Sequence, residues 1–170
     1  MNQTRTWSEM EATLFYILAA VLLIGILLAI TARQAVRSIV YLVTSFFALA
    51  LMFYLLGAPL IAAFEVIIYA GAIMVLFLFV IMMLELESPE KLAKPHFKNW
   101  LPALLLAGAV VGALVVLLCS RLQAVPPGFT EIPVRQFAFA LFKQYGVAVE
   151  VVSMQLLFAL VGALYLGRRR

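Results

Sequence analysis

Residues Pro59–Glu85 read PLIAAFEVIIYAGAIMVLFLFVIMMLE. The stretch exceeds the ~20 apolar residues a helix needs to cross a bilayer. It nevertheless carries a carboxylate, Glu65, with Tyr69 four positions on and Gly71 two beyond that. A carboxylate in hydrocarbon costs roughly 2.5–3.5 kcal/mol on insertion scales, so it is kept only where it faces protein or water. A spacing of four puts Glu65 and Tyr69 on one helix face.

Outward from this stretch, the composition is that of a polytopic membrane protein. Hydrophobic residues make up 66% of the 170 and charged residues 12%, against about half apolar in ordinary soluble domains. The net charge of +4 reports orientation and lipid contact, and the basic residues do not interleave with aromatics as nucleic-acid binding would require. One cysteine and one histidine cannot hold an iron–sulfur cluster or a bis-histidine haem. No redox centre, metal site or catalytic centre is therefore expected in this chain alone. Cys119 reads as a buried small hydrophobe, and His96 lies in a charged loop. There is no HExxH, GxSxG, phosphate loop or paired-cysteine motif.

The expected fold is all-α, a single membrane domain over 1–170 with five spans: Ala12–Ile30, Val36–Leu56, Leu60–Leu84, Trp100–Cys119 and Val147–Leu166. The first run is longer than the usual ~7–15-residue signal core, and Glu9 and Glu11 flank it, so it is read as a span. The connection TARQAVR and the Gly57–Pro59 turn are short, which makes the first three helices antiparallel neighbours. Pro59 suits a first helical turn, where its missing N–H is not needed. LESPEKLAKPHFKN (86–99) and the longer Ser120–Gly146 connection, with its VPPGF core, read as loops. Gln136–Tyr145 is expected to form an interfacial amphipathic piece.

Arg33, Arg37, Lys91, Lys94, Lys98 and Arg168–Arg170 fall on one side. Arg5, Arg121, Arg135 and Lys143 fall on the other. The positive-inside rule then puts the N-terminus of this multi-pass protein outside and its C-terminus in the cytoplasm, or in the matrix or stroma for a chain from an organelle. No internal repeat supports an inverted-repeat transporter made by this chain alone.

In the third helix Glu65 lies ~9 Å and Tyr69 ~15 Å from the outer end, at 1.5 Å per residue. Tyr69 is thus near mid-depth, where a phenol needs a hydrogen-bond partner. Ala70, Gly71 and Ala72 let a helix or a water file approach closely, and Gly71 lowers the cost of a π-bulge. Desolvation disfavours the charged form of Glu65, leaving it poised to exchange protons with a water chain. The alternatives are a packing role for Gly71 and, for Glu65, a structural pairing with a polar group on another subunit. Met74–Met83 reads as lipid-facing or core. Glu150 reads as a carboxylate in the first turn of the fifth helix, favoured by the helix dipole. Ser153 and Gln155 are read as bonding neighbouring helices, and Gly108 and Gly112 form a GxxxG pair.

EVIIYAGAIMVLFLFVIMML (65–84) resembles the signature of the J subunits of bacterial NADH–quinone oxidoreductase (complex I), counterparts of mitochondrial subunit 6. The resemblance extends through VRSIVYLVTSFFALALMFYLLGAPLIAAFEV (36–66) and returns in AVEVVSMQLLFALVGALYL (148–166). The chain departs from it at Arg33-Gln34-Ala35, where the family often has Asn-Pro, and at Ala148-Val149, where it often has Pro-Phe. The resemblance implies a non-redox membrane subunit of a proton-translocating enzyme, multi-pass in the cell inner (cytoplasmic) membrane. Its third helix would carry a π-bulge near Tyr69–Val75 and gate a water path. Glu65, Tyr69 and Gly71 would serve proton transfer and coupling, with Glu150 a further candidate. FMN, iron–sulfur clusters and a quinone would belong to the rest of the complex. Implied partners are small subunits with intramembrane carboxylates, the quinone-site subunit, antiporter-like subunits and the lipid bilayer, with no nucleic acid. A scaffold subunit, or the same module in a cation antiporter or membrane hydrogenase complex, are the alternatives.

Overall fold

The computed structural model describes residues 3–84, 101–123 and 134–168, all of them in helices or short connections. The helices are α1 (Gln3–Thr31), α2 (Ala35–Leu55), α3 (Pro59–Met83), α4 (Leu101–Gln123), α5 (Val134–Gln144) and α6 (Gly146–Gly167). Five of them, all but α5, are long and apolar enough to cross a membrane. Their bounds fall within one or two residues of the expected spans, except that α1 starts nearer the N-terminus and α4 runs on to Gln123. The loops expected at 86–99 and around VPPGF lie outside the described residues, as do Lys91, Lys94 and Lys98. Contacts divide the chain into two compact units, Met1–Phe129 and Thr130–Arg170.

The α2–α3 junction follows from three residues. Gly57 adopts φ 79°, a left-handed conformation that costs glycine little and other residues more. Gly57 N–H donates to the Tyr54 carbonyl (3.1 Å) and Ala58 N–H to that of Phe53 (3.0 Å), the paired bonds of a Schellman helix end. Pro59 then opens α3. The chain reverses within these residues, so α3 packs back along α2.

In the first unit α1 and α2 form the tightest pair. Lipid tails are as apolar as leucine, so small residues and polar contacts, not hydrophobic exclusion, join membrane helices. Gly25 of α1 is buried, and a Cβ placed on it would overlap Ser45 Oγ of α2. Ser45 is 1% exposed and donates to the Tyr41 carbonyl at 3.0 Å. Ser38 Oγ crosses between the helices to donate to the Ala29 carbonyl at 2.6 Å. α4 presents Ala103, Leu106, Val110 and Ala113 to Leu18, Val21, Tyr41 and Ala48. Those α4 positions alternate by three and four, the spacing of one helix face.

The close approach of Gly25 and Ser45 sets a testable coupling. Gly25→Ala should destabilise the subunit by about 1–3 kcal/mol, the usual range for overpacking. Ser45→Ala removes the obstructing oxygen, so the double variant should recover most of the loss. Thermal denaturation of the isolated complex checks this; additive losses would contradict the packing.

In the second unit α5 leads into α6 through Tyr145. Lys143 Nζ lies 5.1 Å from the Phe139 ring centroid, a cation–π distance. Phe139 and Phe142 are exposed, as an amphipathic interfacial helix requires.

Candidate proton-coupling site in the third helix

α3 is not one regular helix. Pro59–Phe64 is α-helical, Glu65–Ile73 is a π-helix, and Met74–Met83 returns to α. Nine residues of π-helix exceed the single-turn bulge in which this geometry usually occurs, often at functional sites. The segment starts four residues before the expected Tyr69–Val75 and ends two before it. The direction of its hydrogen bonds accounts for the shift: each N–H reaches back five residues, so an irregularity at Gly71 spreads toward the N-terminus. At the exit Met74 N–H is shared between the Tyr69 carbonyl, five residues back, and the Gly71 carbonyl. If Val75 resumes four-residue bonding beyond this point, the acceptor passed over is the Ala70 carbonyl. In hydrocarbon a free carbonyl requires another donor.

Gly71 stands inside this segment. A Cβ there would lie 3.1 Å from the Val66 carbonyl oxygen, closer than side chains ordinarily come. That oxygen is itself part of the widened backbone and cannot step aside as a flexible side chain would. The π geometry and the absence of a side chain at residue 71 therefore go together.

Glu65 is the first residue of the π-helix and is 8% exposed. It shares burial with Thr44 and Ser45 of α2, whose hydroxyls are spent on their own helix, at Val40 and Tyr41. No hydrogen bond or ion pair to the Glu65 carboxylate occurs among the described residues. The carboxylate oxygens are not among the enclosed unpartnered atoms of the described residues, so they reach the surface of the chain, where water or a group from another chain can meet them.

Tyr69 is 48% exposed and packs its ring against Phe46 of α2, with centroids 5.6 Å apart and planes at 52°. The sequence spacing puts Glu65 and Tyr69 on one face, but the structure does not join them by a hydrogen bond. The π register explains part of this. Four residues at about 4.4 per turn advance the helix some 70° less than four residues at 3.6. Tyr69 is thereby displaced around the helix relative to Glu65. Ala70 is buried.

Three other expectations are corrected. Glu150 is not in the first turn of its helix: α6 begins at Gly146 and its first turn holds no acidic residue. Glu150 is exposed and lies beyond the free N–H groups that a carboxylate would favour, since Val149 N–H already donates to the Tyr145 carbonyl at 3.0 Å. Ser153 bonds its own helix, donating to the Val149 carbonyl at 2.9 Å. Cys119 is exposed, because the buried face of α4 runs through Val110, Ala113 and Leu117 and residue 119 lies off that stripe. Gly108 and Gly112 have open space beside them. Among the described residues no cluster of His, Cys, Asp and Glu could hold a metal ion.

Comparison with known proteins identifies the family. The sequence profile of the family described as NADH-ubiquinone/plastoquinone oxidoreductase chain 6 matches residues 25–166. NADH-quinone oxidoreductase subunit J of Pseudomonas aeruginosa is 38% identical over 160 residues, covering 91% of this chain and 95% of that protein. Its counterpart in Escherichia coli K12 is 38% identical over 159 residues, covering 91% and 85%. That of Buchnera aphidicola from Schizaphis graminum is 34% identical over 160 residues, covering 92% and 97%. With the profile matching most of its length and relatives this similar end to end, the chain belongs to the subunit J (chain 6) family of NADH-quinone oxidoreductase.

Proposed function

We propose that this subunit helps couple quinone reduction to proton translocation, through a hydrated path that the third helix opens and closes. The observation that carries the reading is the pairing of a buried, unpartnered Glu65 with a π-helix that begins at that residue. Glu65 holds or relays a proton. The Ala70 carbonyl and the Tyr69 hydroxyl offer further hydrogen-bonding positions along the same helix. Gly71 lets the backbone pass between registers, and a change from π to α would swing Tyr69 around the helix relative to Glu65. The chain lies as one five-helix membrane domain in the cytoplasmic membrane, with its N-terminus outside and its C-terminus in the cytoplasm, as the distribution of basic residues indicates.

FMN, iron–sulfur clusters and quinone belong to other subunits on this reading. One cysteine and one histidine do not supply a ligand set for such centres. The neighbours that fit are membrane subunits able to bring water or a second carboxylate to Glu65, together with the quinone-site and antiporter-like subunits.

Native mass spectrometry of the intact assembly tests the setting. A flavin- and iron–sulfur-bearing arm should co-purify. Its absence would place the chain in a cation antiporter or hydrogenase complex. Tyr69→Phe tests the site: losing one hydroxyl should lower proton pumping by about twofold to fivefold, in keeping with a net ~0.5–1 kcal/mol hydrogen bond. Unchanged pumping in Tyr69→Phe, Glu65→Gln and Gly71→Val together would favour a scaffold role.

A further inference from the structure

Phe46 of α2 is partly buried and tilts its ring against that of Tyr69 in the π-helix, with centroids 5.6 Å apart. That separation lies within the 4.5–7 Å range of attractive aromatic pairs. The α2 side of the pair is held firmly. Ser45, the residue before Phe46, is 1% exposed and fills the space beside Gly25 of α1. Ala48, two residues after Phe46, is fully buried in the core between the helices. Phe46 is therefore a fixed point, whereas Tyr69 belongs to the segment whose register is unusual.

The register of Glu65–Ile73 decides whether the two rings meet. Counted from Glu65, four residues end about 30° short of a full turn in a π-helix and about 40° past it in an α-helix. Tyr69 thus lies on one flank of Glu65 in the first register and on the opposite flank in the second. The reversal at Gly57 ties the first turn of α3 to α2, so this swing also moves Tyr69 relative to Phe46. A ring ~5–6 Å from the helix axis travels about 6 Å in a ~70° swing, as far as the two centroids stand apart.

We propose that Phe46 is a positioning residue for Tyr69: its ring stabilises the π register and fixes the flank of Glu65 on which the phenol lies. The role rests on the passage between registers proposed for α3. Gly71 permits the π-helix from within the segment, and Phe46 favours it from the neighbouring helix. Losing the contact shifts the balance toward α without removing any group that carries a proton.

The intact complex, frozen during turnover and imaged by electron cryomicroscopy, provides the test, with particles sorted by the register of Glu65–Ile73. Phe46→Leu keeps an apolar side chain and removes the ring. It should move the π-to-α ratio about fivefold toward α, the ratio that ~1 kcal/mol of aromatic contact sets. Phe46→Tyr keeps the ring and should hold the wild-type ratio. Tyr69→Leu breaks the contact from the other side and should act as Phe46→Leu does, while the double variant should move the ratio no further. If Phe46→Leu fails to assemble, Tyr69→Leu and Phe46→Tyr decide. A ratio unchanged or moved toward π in Phe46→Leu, or additive shifts in the double variant, overturns the role of Phe46 and leaves the two registers standing. A single register in every sample, wild type included, overturns both.

Discussion

Gly71→Val should lower quinone-dependent turnover and proton pumping together, by roughly tenfold, in a complex that still assembles. The Cβ alone would press on the Val66 carbonyl oxygen at 3.1 Å, and valine adds two methyl groups in the stiff geometry of a β-branched residue. The backbone must shift to relieve this, at a cost of about 1–3 kcal/mol for a strained segment. That cost falls unequally on the π and α forms, because the Val66–Gly71 approach belongs to the π register. Biasing one form slows any cycle that needs both, and about 1.4 kcal/mol corresponds to tenfold in rate. Gly71→Ala should show a smaller effect of the same kind. NADH- or donor-driven quinone reduction and proton uptake, measured in the same vesicles, check both variants. Normal turnover with normal pumping in Gly71→Val would remove the hinge role.

Glu65→Gln should separate pumping from assembly. Glutamine keeps the shape and can still hydrogen-bond, so a purely structural partner of Glu65 would be largely preserved. It cannot take up and release a proton. Losing a positioned proton-transfer group typically costs 10²–10⁴-fold for its own step. Overall pumping should fall by at least roughly tenfold if that step becomes limiting. The amount of assembled complex should stay near normal, because removing the charge also removes the expense of burying it. Glu65→Ala is the harsher control, expected to reduce both. Pumping unchanged in Glu65→Gln would reject the proton role and leave Glu65 as a packing or pairing residue.

Much of the architecture is local, and local features can be read from sequence. Five apolar runs of spanning length, the glycine at 57 and the proline at 59 fix the crossings and the tight reversal without reference to the rest of the molecule. The acid in the third span announced itself by its cost. What sequence did not yield depends on which faces meet. Gly25 looks like one more small residue in an apolar run, and only its position against Ser45 shows that it sets the α1–α2 distance. Cys119 is apolar in habit, yet the three-and-four stripe on α4 leaves it outside. Glu150 was misplaced by one helical residue, which is enough to take it out of the first turn. The extent of the π-helix was mislocated because small residues mark where widening is tolerated, whereas the hydrogen bonds that express it lie upstream. The Glu65–Tyr69 pair was drawn on a regular helix, and the wider turn displaces Tyr69 around the axis.

Glu65–Ile73 is expected to alternate between two backbone registers, with Glu65 meeting water in at least one of them. High-resolution electron cryomicroscopy of the intact complex, frozen at rest and during turnover, tests this most directly. The account predicts π-helix in one population and α-helix over the same residues in the other, with ordered water within hydrogen-bonding distance of the Glu65 carboxylate and the Ala70 carbonyl. One unchanging register in both samples, with the carboxylate dry and no neighbouring subunit's polar group beside it, would contradict it.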